Sequence, residues 1–343
     1  MPCWALMNRH SKDDHLIETR HCSDRATRRQ GNRVCQVGGE KGAIEMDATD
    51  LKVFEAVARL GSMGRAAEEL NTVQSNVTTR VRQLEDELGT TLFRRHARGA
   101  EPTHAGNRLL PYALKVACLL IEARRATLDE GTPKGTLVIG SLETTTALHL
   151  TELLSTFVAA HREVDLTLQT GTTFELLEQV LDRRVEGAFV CGPVAHSALE
   201  AERVFVEELV LLTAAPIGSL DALAESGDLR IVVLRRGCSY RQRLEDVLAR
   251  HGVPAPRILE FGTLEAVFGC VAAGLGVTLL PRALIGPVWS GGLVAMHALP
   301  PCDGVVETVF VRRRDGYVSS ALAAFLAAVR CLPATKGIPI AAE

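Results

Sequence analysis

Between residues 64 and 84 the chain reads GRAAEELNTVQSNVTTRVRQL: a short helical run of small and acidic residues, a break at Asn71 and Thr72, and a second run of helical period. Val77, Val81, Leu84 and Leu88 recur at i, i+4, i+7 and i+11, which sets them on one stripe of an α-helix and turns them inward. Ser75, Asn76, Thr79, Arg82 and Gln83 then fall on the opposite face. That face of hydroxyl, amide and guanidinium groups suits two environments. One is plain solvent, as on the outside of any helical bundle. The other is the DNA major groove, where Arg matches guanine, Asn and Gln match adenine, and Ser and Thr reach base edges or phosphates.

The flanks extend the helical block. DLKVFEAVARLGS places Leu51, Phe54, Val57, Ala58 and Leu60 on one stripe and ends at Gly61, and MGRAAEEL is a second short helix. TTLFRRHARGAEPTHAG reads as two short extended runs around a turn at Gly99, carrying Arg94, Arg95 and Arg98. Thr103 is placed to cap a long helix over 104–130, in which Pro111 can introduce a kink, and GTPKG makes a hinge after it.

Beyond residue 135 the pattern alternates. Strand TLVIGS, helix LHLTELLSTFVAAH, strand VDLTLQTG, helix FELLEQVLDRRV and strand EGAFVCG form a βαβαβ unit with a parallel sheet. A second such unit is expected through ELVLLTAA, LRIVVLRRG, YRQRLEDVLARHG, RILEFG, LEAVFGCVAAGLG and VTLLP. VETVFVRR and VSSALAAFLAAVRCL then return the chain to the first lobe. The fold class is α/β in two lobes with a cleft between them, preceded by the helical block.

Charge does not announce a partner. The 343-residue chain has a formal charge of -3, and residues 46 to 105 hold eight Arg and Lys against nine Asp and Glu, so a case for DNA rests on where the charges sit. No apolar run reaches the ~18 residues of a membrane span, and the N-terminus lacks a secretory apolar core, which points to the cytoplasm. Nine scattered Cys without a CxxC argue against a disulfide framework and a structural zinc site. Redox sensing by Cys238 with Cys270 is a minor alternative. There is no GxSxG elbow, HExxH or phosphate loop, so no catalytic residue and no cofactor or metal is assigned.

The stretch from LKVFEAVARLGS to EPTHAG resembles the winged helix-turn-helix of LysR-type transcriptional regulators. Phe54, Gly61, Ala66, Ala67, Gln74, Ser75, Leu84, Glu85, Leu92, Phe93, Arg95 and Thr103 are among its matching marks. The likeness continues through the two-lobed domain, where VAAGLGVTLLP is the clearest mark and the architecture resembles that of periplasmic binding proteins. Two departures stand out: Pro102 occupies a position usually held by Leu, with a shorter second wing strand as the expected result, and a 45-residue leader precedes the match.

The resemblance implies bounds of 46–103 for the winged helix-turn-helix, 104–132 for the linker helix and hinge, and 135–333 for the effector domain. Lobe 1 would take about 135–204 and 305–333, lobe 2 about 205–304, and 334–343 a tail. It makes helix 74–88 the recognition helix, with Gln74, Ser75, Thr78, Thr79 and Arg82 as base readers and Arg80, Arg94, Arg95 and Arg98 at phosphates or the minor groove. Glu85, Asp86 and Glu87 would lie beyond the groove and support the fold. The partners it implies are double-stranded DNA carrying an interrupted inverted repeat near a promoter, a second copy along the long helix to give a dimer of dimers, RNA polymerase, and a small-molecule effector.

Parallel sheets bind ligands at the C-terminal ends of strands, where helix N-termini favour anions. SLETTT, TGTT and CGP end three strands of the first lobe, nominating Thr144, Thr145, Thr172, Thr173 and Gly192. Across the cleft, RRGCSYRQ and FGTLE nominate Ser239, Tyr240 and Thr263 as donors and Arg241 as the partner of an effector carboxylate. Helix capping is the competing role for each Ser and Thr. A small organic anion is the expected effector, because no acidic cluster dominates these turns. The rival class, a two-lobed solute-binding protein without a DNA-directed role, lacks a use for the winged helix.

Residues 1–45 show no periodicity and are expected to be disordered, with the organised chain starting near Met46. Deleting them should leave operator affinity within about tenfold, or about 1.4 kcal/mol, of the full chain in a gel-shift titration.

Overall fold

The computed structural model describes residues 46–96, 99–215, 229–252, 256–285 and 293–332. The leader, Arg98 and the tail lie outside these residues.

Helix α1 (Ala48–Leu60) is capped by the Asp47 carboxylate, which accepts from Thr49 N, and ends at Gly61 with φ 67°. Ser62 caps α2 (Met63–Glu69). Asn71, at φ 51°, reverses the chain into α3 (Gln74–Leu88), in the one backbone region where Asn is better tolerated than most side chains. As its spacing requires, α3 buries Val77, Val81 and Leu84 against Phe54, Val57 and Ala66.

Strands β1 (Phe93–His96) and β2 (Gly99–Pro102) form the wing, paired from Phe93↔Pro102 to His96↔Gly99. Pro102 therefore closes a strand as long as its partner and does not shorten it. Gly99 is required: a Cβ there would sit 2.2 Å from the Gly61 carbonyl, which itself accepts from Ala100 N. Thr103 ties wing to linker, donating from Oγ1 to Thr91 O at 2.8 Å and accepting from Gly106 N at the start of α4 (His104–Leu128). Tyr112, Leu119, Leu120 and Ile121 are exposed along α4.

The α/β part begins with β3 (Gly135–Ser141), which pairs in parallel with β4 (Val164–Thr170) and β5 (Gly187–Cys191). Helix α7 (Thr173–Leu181) connects the latter two. The helix after β3 starts at Glu143, earlier than expected. It runs through a turn α5 (Glu143–Thr145), a wider i→i+5 turn Thr146–Leu150 and α6 (Thr151–Ala160). Its β-branched threonines disguise the first turn, because they lower helix propensity.

The main departure from expectation is β6 (Leu199–Ala214), one strand of 16 residues where a break between lobes at 204/205 was expected. Its first part pairs with β11 (Val305–Arg313), which returns the chain to lobe 1 beside β5. Its second part pairs antiparallel with β9 (Thr278–Pro281) and β10 (Val294–Ala298). The second lobe is therefore not a copy of the first. Its parallel portion is β7 (Arg230–Leu234) with β8 (Arg257–Phe261), followed by helices α8 (Ser239–Arg250) and α9 (Leu264–Ala272) after each strand. Strand β10 had no alternating signature in LVAMHALP and was not anticipated.

Aromatic packing holds lobe 1: Phe325 of α10 (Ser320–Arg330) meets Phe157 edge-on at 5.3 Å, and Phe189 meets Phe310 at 4.9 Å.

Phe54 is fully buried and lies 5.2 Å from the Phe93 ring, joining α1 to the wing. Phe54→Ala should destabilise the winged helix by about 3–5 kcal/mol. In calorimetry of the full chain this appears as an earlier partial endotherm, with the effector-domain transition in place.

Candidate DNA-binding face and effector cleft

The outward face of α3 is as the spacing requires: Gln74, Ser75, Thr79, Arg82 and Gln83 are exposed and Thr78 is half-buried. The N-cap of α3 is Val73, which offers no oxygen, so the first-turn amides lack a side-chain partner within the helix. Arg80 differs from its neighbours. Its Nη1 donates to Asp50 Oδ1 at 2.7 Å, tying α3 to the first turn of α1 and committing one edge of the guanidinium. Arg94 and Arg95 lie exposed on β1.

Glu85 sets the wing against α3. Its Oε1 accepts from the amides of Leu92 and Phe93 at 2.7 and 3.1 Å, and its Oε2 lies 3.4 Å from Arg95 Nη2. An acid beside a DNA face repels phosphate, so simple electrostatics predicts tighter binding when it is removed. The geometry predicts the reverse: Glu85→Ala orphans two backbone donors, each worth about 1–3 kcal/mol if left unpaired, and should weaken operator binding at all salt concentrations. A competition gel shift checks the sign.

Between the lobes lies a cavity of about 320 Å³. Thr144, Thr172, Thr173, Ser239 and Tyr240 line it, as expected. The structure does not bring Thr145, Gly192, Thr263 or Arg241 to its wall. Thr145 is fully buried. Gly192 donates its amide to Glu307 O on β11, leaving Cys191 as the lining residue of that strand end. Thr263 caps α9 through Ala266 N. Arg241 donates to Glu245 at 3.0 Å and Glu260 at 3.1 Å on its own lobe, so its charge is already answered.

Capping also decides what the remaining hydroxyls can do. Thr172 and Glu175 form a reciprocal capping box that satisfies the start of α7. The helical run from Glu143 and helix α8 begin instead at Leu142 and Cys238, neither with a side-chain oxygen on its amides. Helix N-termini without an oxygen cap thus open into the cavity from both lobes, the one at α8 having the Cys238 sulfur on its Tyr240 and Arg241 amides, and helix starts are positions where a negative group is favoured. Gly237, at φ 96°, brings lobe 2 onto lobe 1 there: a Cβ would come within 2.9 Å of Thr172 Oγ1.

Hydroxyls link the lobes directly. Ser239 Oγ donates to Thr173 Oγ1 at 3.0 Å, and Thr173 Oγ1 also accepts from Cys191 N. Thr144 Oγ1 lies 3.4 Å from the Tyr240 hydroxyl, which donates to Glu207 Oε2 at 3.2 Å. Burial, then the Glu207 charge, pushes the Tyr240 phenol well up, so it stays a donor. His149 Nε2 lies 2.9 Å from Glu207 Oε1, its ring stacked on Phe205 at 4.0 Å. Burial pushes the thiols of Cys191 and Cys238 up, the opposite of what thiolate chemistry needs.

The cavity also holds residues that were not assigned to effector binding from sequence: Glu143, weighed there only as an obstacle to an anion, Cys238, weighed only as a redox thiol, and Arg235, Gly171 and Cys191. RRG before SYRQ was the available signal for Arg235, the arginine nearer the strand end. Among the described residues no group of His, Cys, Asp and Glu is arranged to hold a metal ion, and no helix is long and apolar enough to cross a membrane.

A helix-turn-helix with a wing, joined by one long helix to a ligand-sized cleft between α/β lobes, defines a DNA-binding regulator with a sensing domain. The chain belongs to the LysR family of transcriptional regulators. A model of the lysR-family bacterial regulatory helix-turn-helix matches residues 48–107, and one of the LysR substrate binding domain matches 130–332. The chain is 41% identical to the transcriptional regulator CzcR of Bacillus thuringiensis subsp. konkukian (strain 97-27), over 82% of this chain and 96% of that one. It is 41% identical to GltR of Bacillus subtilis (strain 168), over 82% and 95%. Its fold is shared with full-length OxyR from Pseudomonas aeruginosa, at TM-score 0.62, 20% identity and coverage of 84% and 95%. It is likewise shared with full-length CbnR in complex with its target DNA, at TM-score 0.59, 22% identity and coverage of 83% and 99%.

Proposed function

We propose that this LysR-type regulator reads an interrupted inverted repeat near a promoter through the exposed face of α3, as a cytoplasmic dimer of dimers joined along α4. A small carboxylate-bearing effector in the inter-lobe cleft sets the geometry of the assembly, and the output passes to RNA polymerase. Bounds of 46–103, 104–132 and 135–333 divide reading, dimerisation and sensing. The observation that carries this reading is the solvent face of α3, polar and uncharged to basic from Gln74 to Gln83, standing beside a wing with Arg94 and Arg95 exposed. The apolar residues left exposed along α4 support the dimer seam. CbnR, of the same fold, was solved on its target DNA, which supports the same partner here.

Gln74, Ser75, Thr78, Thr79 and Arg82 take base edges in this reading, and Arg94 and Arg95 take phosphates. Arg80 contributes only through the donors that Asp50 leaves free. In the cleft, the effector carboxylate lies between the helix starts at Glu143 and Ser239, with Thr144 and Tyr240 beside it. The capped starts of α7 and α9 serve the fold. Differential affinity for two lobe arrangements is the only means by which such a ligand can act.

Arg82→Ala should relax base preference, and Arg95→Ala should weaken operator and scrambled DNA alike, reducing the log–log salt slope by about one. Titrations of both DNAs across a salt series separate the two roles, and an unchanged slope for Arg95→Ala removes the wing from the phosphate contacts.

Thr144→Leu should leave basal operator binding intact and abolish the effector's change in footprint or bend. A wild-type response in that variant would place the effector elsewhere.

A further inference from the structure

The charged side chains on the cavity wall are Glu143, Glu175 and Arg235. Glu175 is already engaged, its Oε2 accepting from Thr172 N at 2.9 Å. Arg235 is exposed and makes no ion pair with any described residue. Glu143 opens the helical run of lobe 1 and reaches into the cavity, where the Leu264 amide of lobe 2 points at its carboxylate.

Two acids against one base are a poor match for a simple anion. A carboxylate lodged between the helix starts at Glu143 and Ser239 stands next to the Glu143 side chain and meets its charge in a partly desolvated space, where like charges repel far more than in water. The same geometry becomes favourable if the ligand also carries a cation. The domain is independently marked as ligand-binding by its match to a substrate-binding family model over 130–332. Its cavity, about 320 Å³ with Leu142 and Leu234 on the wall, accepts a small molecule with one apolar portion.

We propose that the effector is a zwitterion of the amino-acid class, its carboxylate held by the amides of the helix starts at Glu143 and Ser239 with Arg235, and its ammonium held by the Glu143 side chain. The proposal rests on the reading of the cleft as the effector site and narrows the organic anion expected from sequence. Glu143 is then the residue that separates an amino acid from the carboxylic acid of the same skeleton, by attraction to one and repulsion of the other.

The test is calorimetric titration of the full chain with matched probes: the common L-amino acids, the carboxylic acids lacking their amino group, and the amines lacking their carboxyl group. At least one amino acid should bind, its two truncated analogues at least tenfold more weakly. Glu143→Gln, with its fold checked by circular dichroism, should lose tenfold or more for the amino acid while binding the deaminated carboxylate more tightly than wild type does. A merely structural role for Glu143 would not improve binding of one ligand while weakening the other. Glu143→Asp should restore part of the preference. If a deaminated carboxylate binds the wild type as well as its amino acid does, and Thr144→Leu abolishes that binding, the zwitterion is wrong and the carboxylate cleft stands. If only amines bind, or if no probe binds in a Thr144-dependent way at millimolar concentration, both readings fall.

Discussion

Strand β6 belongs to both lobes, and Glu207 sits on it close to where its pairing passes from β11 to β9. Only 5% exposed, this carboxylate is approached by His149 from the helical run of lobe 1 and by Tyr240 from α8 of lobe 2. A buried acid without partners would be expensive, so the two donors and the strand position fix one another. Thr144 extends the chain of hydroxyls from Tyr240 into the cleft. A ligand that touches Thr144 or Tyr240 therefore acts on groups already joined to the strand that both lobes share. The register shift between Thr308 and Val309, opposite this part of β6, adds a bend at the same level.

Lobe 1 is in turn fastened to the linker. Arg183 pairs with Glu122 of α4 and, at 2.8 Å, with Asp315. It holds φ 62°, a conformation unfavourable for Arg that the ion pairs help to maintain. Arg125 of α4 pairs with Glu186, and Asp129 at the end of α4 accepts from Ser320 N at 2.6 Å and from the Tyr317 hydroxyl. The amides of Ser320 and Gly131 draw the Asp129 carboxyl down to about 2. Lobe 1 is thus joined to α4 by ion pairs and hydrogen bonds at several points along the linker's second half. In the proposed function, a change of lobe arrangement reaches the DNA-binding domains through these linkers.

Local physics made much of this legible from sequence. The stripe Val77, Val81 and Leu84 is a direct consequence of helical period, and burying it leaves only one face for Gln74 to Gln83. Gly61 and Thr103 marked helix ends because few other residues serve there. What stayed hidden depended on partners distant in sequence. Nothing around Arg241 reveals that Glu260 will reach it, and nothing in ETTT shows that Glu143 will face the Leu264 amide. The pairing of ELVLLTAA with strands on both sides is likewise a tertiary fact, and it turns an expected break into one continuous strand. Thr172 and Thr263 carried the cap signature, and capping is what they do; the cleft is left to the helix starts that lack it.

In the proposed function the polar face of α3 and the wing meet DNA while the cleft does not. Amide hydrogen exchange of the full chain, free and bound to an operator duplex, measures this directly. Exchange should slow in the first turns of α3 and in the β1–β2 hairpin, with the segments around Thr144, Thr172 and Ser239 little changed by DNA alone. Protection confined to the lobes, with α3 and the wing exchanging as in the free protein, would contradict it.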